Sequence, residues 1–482
     1  MELKGKHWIV RAINLFDKTD YHDSFVADRA AYLHRDNLPE VPGRIFFCED
    51  PLTGDAKVLI VEAPDYVQPS LTVRKNQVVI KGAPGYPVTV LDCRRGECEA
   101  VCRKWYREKS NRNTLITMSN TWGDMNSRDR VYEAFVRREI DTASELGLDV
   151  VQVDDGWQTL FPTGALRDEK GRRFFFDPMW ELSEVRFPAG MKNLRDYAAE
   201  RGVEMGLWFA PDSSNGFERL DRDLSVLKKA YDEWGFHYFK LDMLSIQDRE
   251  SFDRFLFMLD SIRAFGADAE VQLDVTNEVR LGFLTGIEHG TLFIENRYTK
   301  TTTYYPHRTL RNLWTLSRYL PVCRFQFEIV NPDLAPEAYG DDPFAPVLCD
   351  MDYLFASVMV SNPLFWMEVQ FLTPERRAQL NRIFPLWRSL RGDLAKADVT
   401  PLGEVPCGRG MTGFCARLED KAYLVLLREV TDRDEYTFSL PVPVSDPKIL
   451  ASNTEGAVTA RGSAVTATFG KERGYLFVEC KI

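Results

Sequence analysis

The absences in this chain narrow its reading first. No stretch of its 482 residues approaches the roughly 18 consecutive apolar residues of a membrane-crossing helix, which excludes a helical membrane protein. The opening residues, MELKGKHWIVRAINLFDK, hold no apolar run long enough for a secretory leader, so the cytoplasm is the expected compartment. An excess of positive charge is missing too: 61 Lys and Arg against 72 Asp and Glu give a formal charge of −11. That balance argues against nucleic acid or an anionic membrane surface as partner and favours a small neutral substrate. The nine cysteines contain no zinc-type Cys-x-x-Cys spacing and the six histidines no metal spacing. No metal or cofactor is therefore expected, and the thiols are expected to be reduced and mostly buried. His237 and His289 read as packing residues. Solenoid repeats and low-complexity linkers are also absent. The string GRGMTG at 408–413 fits a dinucleotide pattern only in form, because no helix pattern follows it; a turn is expected there.

A regular alternation fills the middle of the chain. Between residues 114 and 394 apolar runs of strand length alternate with amphipathic stretches. The runs are TLITMSNTW (114–122), DVVQVDDGW (149–157), VEMGLWFAP (203–211), FHYFKLDML (236–244), EVQLDVT (270–276), TLFIENRY (291–298), VCRFQFEIV (322–330) and NPLFWMEV (362–369). Stretches such as SFDRFLFMLDSIRAFG, HRTLRNLWTLSRYL and PERRAQLNRIFPLWRSLRGDL repeat apolar residues at helical spacing. Eight such units predict an α/β fold of the (β/α)8 TIM-barrel type. Both flanks instead hold short runs separated by turn residues, which predicts β-sandwich-like domains. The expected division is 1–105, 106–395 and 396–482.

In such a barrel the chemistry sits at the C-terminal ends of the strands. Those ends carry Asp154, Asp155 and Trp157 in the second run, Trp208 in the third, Lys240 and Asp242 in the fourth, and Glu295 in the sixth. Strand alternation places Phe293, Glu295 and Arg297 on one side. Carboxylates with a lysine and indole faces suit a sugar, whose hydroxyls take charged partners and whose C–H face takes an aromatic ring. A pair of carboxylates suits acid–base and nucleophilic work on a glycosidic bond. The bland alternatives are a polar turn for Asp154 and Asp155, a rim ion pair for Lys240 and Asp242, and a charged turn for Glu295. Asp274, Glu278 and Asp350 are rival acids. Trp122 and Asp124 either line the pocket or serve the core, and Arg280 and Asn277 either reach the sugar or are structural.

DVVQVDDGWQ, GLWFAPD and YFKLDM, in this order, resemble the retaining α-galactosidases of glycoside hydrolase family 36 and its clan. The resemblance spans residues 114–394. It implies hydrolysis of terminal α-galactosides by double displacement, with Asp242 as nucleophile. Lys240, Asp154 and Asp155 would bind sugar hydroxyls, while Trp157 and Trp208 would shape the pocket. The family's Cys-x-x-Gly-Gly-Gly-Arg-x-Asp segment is reduced here to DVTNEVRLGF, with Arg280 kept. The family's acid/base lies in a Trp-x-Ser-Asp-Asp stretch that LFIENRY replaces, so the acid/base is expected at Glu295, 15 residues after Arg280. Lys240 would favour ionised Asp242, and a less polar setting would keep the proton of Glu295. These departures leave open a related activity, such as an α-N-acetylgalactosaminidase, a β-L-arabinopyranosidase or a transglycosylase. They also leave open a carbohydrate-binding protein without catalysis, and a divalent-metal site on Asp154, Asp242 and Glu295 is a further alternative. The substrate class is an oligosaccharide or other glycoside, and a homo-oligomer is compatible with the sequence.

Overall fold

The computed structural model describes residues 1–3, 7–15, 26–34, 37–64, 66–109, 114–123, 128–159, 177–274 and 280–482. Eight short parallel strands close into a barrel. From the first of them they are β1 (Met118–Asn120), β2 (Val150–Val153), β3 (Glu204–Phe209), β4 (Tyr238–Leu241), β5 (Glu270–Leu273), β6 (Gly290–Phe293), β7 (Phe325–Ile329) and β8 (Asn362–Phe365). Seven lie inside one of the eight apolar runs, and β6 begins one residue before its run, at Gly290. Their side chains are almost all buried because helices cover the outside while the strands themselves fill the inside.

Helix α1 (Cys98–Glu108) precedes the barrel. Helices α2 (Glu133–Leu146), α3 (Gly190–Ala199), α4 (Leu220–Lys229), α5 (Arg249–Arg263), α6 (Pro306–Leu316), α7 (Met351–Val358) and α8 (Phe384–Lys396) surround it. The fifth unit departs from the expected pattern. Between β5 and β6 the described residues form a 3-10 helix, Leu281–Gly286, in place of an α-helix. Two glycines within those six residues, Gly282 and Gly286, weaken an α-helix by about 1 kcal/mol each. The stretch PERRAQLNRIFPLWRSLRGDL also reads as one helix but divides into Pro374–Leu380 and α8. Pro385 lies in the first turn of α8 and cannot continue a helix from the residues before it.

Antiparallel sheets flank the barrel on both sides. The N-terminal five-stranded sheet runs in the order Val26–Tyr32, Ile9–Leu15, Ile45–Glu49, Asp55–Val61 and Val88–Arg94. A three-stranded sheet, Leu38–Pro42, Ser70–Arg74 and Gln77–Lys81, shares an apolar core with it. A second pair of sheets, five and three strands, spans Asp398 to Lys481 around its own core. GRGMTG is the turn and first residues of the strand Met411–Arg417, as its lack of a following helix predicts. Arg103 of α1 ties the parts together: it donates to Asp398 at 2.8 Å and to the carbonyl of Arg318 at 2.7 Å. All nine cysteines are free thiols; Cys407 is exposed, Cys93 half-buried and the rest buried. Among the described residues no helix is long and apolar enough to cross a membrane.

Inside the barrel the strands meet in a polar layer. Gln152 of β2 donates to Gln272 of β5 at 2.6 Å, and Asn120 at the end of β1 donates to Gln152 at 2.8 Å. Gly206 of β3 makes room for this layer, since a Cβ there would lie 3.3 Å from the side chain of Gln152. The polar layer is the floor on which the charged strand ends stand.

Candidate active site

Parallel register sets Trp208 of β3 beside Lys240 of β4, and Lys240 beside Gln272 of β5. These residues share the inward face, so the next inward positions along the strands form the mouth. Lys240 is the hub of that mouth. Its ammonium donates to Asp154 at 2.9 Å and lies 3.1 Å from Asp274. Asn120 donates to the same Asp154 oxygen at 2.7 Å, and Arg280 pairs with Asp274 at 2.6 Å. Burial opposes the charge on Lys240, but Asp154, Asp274 and Asp242 outweigh it and hold the ammonium above the usual lysine range. The ammonium also lies 4.7 Å from the ring of Trp366 and 5.9 Å from that of Phe293.

Asp242 lies just past the end of β4 and is half-buried, whereas Asp154, Asp155 and Asp274 are each less than 5% exposed. Two donors fix its carboxylate. The indole N–H of Trp208 donates to Oδ2 at 2.8 Å, and the backbone N–H of Met243 donates to Oδ1 at 2.5 Å. The second bond coincides with strained backbone, since Met243 has φ of 58° without being glycine. Conformations of that kind cost about 1–3 kcal/mol and concentrate at functional sites.

Asp155 sits deeper. Its Oδ1 accepts from Gln158 at 2.6 Å, and its Oδ2 lies 3.8 Å from Arg128. Burial, with the charges of Asp154 and Asp242, pushes its carboxyl up to about 6 against the pull of Gln158 and Arg128. Gly156, next in the chain, has φ of 130°, and a Cβ there would press within 2.8 Å of the Arg128 carbonyl. The Asp-Asp-Gly-Trp turn therefore requires its glycine.

The remaining predicted residues fall in different places. Trp208 lines the mouth, but Trp157 stands behind it, fully buried, donating from its indole to the Trp208 carbonyl at 2.9 Å. It packs against Trp180 and Trp234 and acts on the pocket through Trp208. Trp122 is half-buried at the mouth, 3.3 Å from the hydroxyl of Tyr298. Arg280 reaches the mouth through Asp274 and over the ring of Phe293 at 5.3 Å. Asp124, Asn277 and Glu278 lie outside the described residues. Asp350 pairs with Lys471 at 2.7 Å beside the C-terminal sheets. His289 is buried, and His237 is half-buried near Glu204 and Asp268.

Glu295 does not join the mouth, and its geometry corrects the expected role. Its Oε2 accepts from Arg297 at 2.8 Å and from Thr309 of α6 at 2.7 Å, while its Oε1 accepts from Asn312 of α6 at 2.7 Å. Both Glu295 and Arg297 are 0% exposed. The carboxylate is thus turned toward α6 and fully engaged as an acceptor, in a setting that is polar rather than apolar. The physical reason is local: β6 ends at Phe293, and strand alternation stops with it. Phe293 alone keeps the inward direction, packing on Trp366 with ring centroids 5.0 Å apart.

Asn120, Asp274, Phe293, Tyr298 and Trp366 complete the mouth. Each follows or closes a barrel strand, so reading every strand end in turn could have found them; Asp274 entered only as a rival acid.

No family model matches the chain. Among curated proteins, α-galactosidase Mel36A of Lactobacillus acidophilus is 33% identical over 73 residues, which is 15% of this chain and 9% of that protein. An α-galactosidase of Oryza sativa subsp. japonica is 25% identical over 126 residues, 26% of this chain and 27% of that protein. The matched stretches thus span less than a third of the length of these relatives. Among solved structures, the GH36 α-galactosidase AgaA of Geobacillus stearothermophilus superposes with a TM-score of 0.65 at 12% identity, covering 99% of this chain and 75% of that one. The galactosidase domain of the α-galactosidase–sucrose kinase AgaSK gives 0.69 at 11% identity, covering 100% and 74%. From its first sheet through the barrel to its last, the chain has the fold of the GH36 α-galactosidases.

Proposed function

We propose that the chain is a glycoside hydrolase that acts on terminal α-galactosides of oligosaccharides or other glycosides, through a glycosyl-enzyme formed on Asp242. One observation carries the reading. Among the described carboxylates of the charged strand ends Asp242 alone is half-exposed, and it is held by Trp208 and Met243 beside a buried Lys240–Asp154 pair. Two fixed donors leave the outer lone pairs of that carboxylate aimed at whatever enters the mouth, as a nucleophile requires. Asp154, Asp155 and Lys240 supply acceptors and a donor for sugar hydroxyls, and the half-buried indole of Trp122 covers its C–H surface.

Asp242 attacks the anomeric carbon as the glycosidic bond breaks, and water then releases the sugar, so two inversions give retention. Relatives support the substrate class: AgaA variants are described in complex with raffinose and with stachyose. Lys240 occupies the space between Asp154 and Asp274 that a bound cation would need, which favours sugar over metal as the ligand of this mouth. The test is a screen of 4-nitrophenyl α- and β-glycosides, with the anomer of the first-formed product read by NMR. Turnover of the α-galactoside with α-galactose released first is expected; release of β-galactose first, or activity confined to β-glycosides, would overturn the reading.

A further inference from the structure

Both oxygens of the Asp242 carboxylate depend on the end of β3. Trp208 holds Oδ2 directly, and the backbone N–H of Asp242 itself donates to the Phe209 carbonyl at 3.0 Å. Oδ1 is held by the backbone N–H of Met243, and Met243 is held in turn by Ser213, in the loop that follows β3. The buried Ser213 hydroxyl donates to the Met243 carbonyl at 3.1 Å and accepts from the backbone N–H of Ser245 at 2.9 Å. One hydroxyl thus uses its hydrogen and a lone pair on the two ends of the turn 243–245. Left-handed backbone at a residue other than glycine persists only where the surroundings impose it, and Met243 has φ of 58°. Ser213 supplies that constraint from outside the turn. Its own loop is anchored as well: the backbone N–H of Asp212 donates at 2.7 Å to Asp223 of α4, which pairs with Arg222.

We propose that Ser213 is a positioning residue for the nucleophile, its hydroxyl holding the turn that aims Oδ1 of Asp242. This rests on the reading of Asp242 as nucleophile. The hydroxyl is engaged by Met243 and Ser245, so it acts through the turn and not on the sugar. Without it the strained turn relaxes, the Met243 N–H leaves Oδ1, and the carboxylate swings about the Trp208 bond that remains. The effect falls on attack at the anomeric carbon, while the Lys240–Asp154 pair that serves the sugar hydroxyls keeps its place.

The experiment uses 5-fluoro-α-galactosyl fluoride. Asp242 forms a bond to the anomeric carbon as the carbon–fluorine bond there breaks, its electron pair leaving on fluoride, so the step needs no proton. The ring fluorine slows the hydrolysis that follows, and the galactosylated residue accumulates for peptide mass mapping. Wild type, Ser213→Ala, and the pair Ser213→Thr and Ser213→Val, alike in shape and different in the hydroxyl, are compared for rate of labelling and for inhibition by galactose. Labelling is expected to slow about 10- to 100-fold in Ser213→Ala relative to wild type and in Ser213→Val relative to Ser213→Thr, with galactose inhibition within a few-fold throughout. The Thr and Val pair decides the question if Ser213→Ala does not fold. Equal labelling rates within either comparison would overturn the inference, as would a loss of galactose binding as large as the loss of rate, which marks a merely structural role. No label on wild type, or a label on a residue other than Asp242, would overturn the nucleophile reading on which it stands.

Discussion

The indole N–H of Trp208 donates to Asp242 across 2.8 Å, linking the ends of two adjacent strands. This bond fixes one carboxylate oxygen, and the backbone of Met243 fixes the other. Hydrogen bonds to charged groups contribute about 1.5–3 kcal/mol, so Trp208→Phe, which keeps a ring and removes the N–H, is expected to lower kcat about 10- to 100-fold. Stopped assays on an aryl α-galactoside would measure it. An unchanged kcat would mean that the bond does not position Asp242 for attack.

Lys240 separates two carboxylates whose side chains are 3% and 4% exposed. Lys240→Met leaves Asp154 and Asp274 facing each other without it, and removing one partner of a buried ion pair costs about 3–5 kcal/mol. The sign with pH follows from linkage. Burial already holds the carboxyl of Asp274 above its ordinary value, and losing the Lys240 charge raises it further, so the folded form binds more protons and the variant loses stability as pH rises. Melting temperatures at pH 5 and 7.5 should differ from wild type least at pH 5. A deficit that grows on acidification would contradict the assignment.

Asp155 offers a second pH test. Its folded carboxyl is raised to about 6, so the native state binds more protons than the unfolded chain between roughly pH 4 and 6. Its contribution to stability is full below that window and lost as pH rises through it. Asp155→Asn is expected to raise stability at pH 7.5 by at most about 3 kcal/mol and to have little effect at pH 4, while raising KM for the galactoside. Denaturant melts at the two pH values measure the difference.

For Glu295 the account predicts a loss of stability rather than of chemistry. Glu295→Gln removes the charge facing buried Arg297 and should cost about 3–5 kcal/mol, with kcat per folded molecule within a few-fold of wild type. An acid/base residue would instead lose about 100-fold or more, together with one limb of its pH–rate profile.

Much of this was legible in the sequence, for physical reasons. Parallel strands buried on both faces are continuous apolar runs, so all eight barrel strands stood out, and charged residues ending such a run, as at Lys240 and Asp242, stand apart from it. Period-two alternation misled at Glu295 because it holds only while the strand lasts, and β6 stops two residues earlier. Trp157 looked like a pocket residue because its neighbours Asp154 and Asp155 are; the turn at Gly156 sends it behind Trp208 instead. The 3-10 helix that the described residues form between β5 and β6 was hidden because helical spacing cannot be read across a segment interrupted by Gly282 and Gly286.

The most direct test of the central claim is turnover of 4-nitrophenyl α-galactoside by wild type and by Asp242→Asn, with folding of the variant checked by its melting curve. The account predicts a folded variant at least about 1,000-fold slower than wild type, since removing a nucleophile removes the route itself. A folded Asp242→Asn chain that turns over the galactoside at near wild-type rate would contradict it.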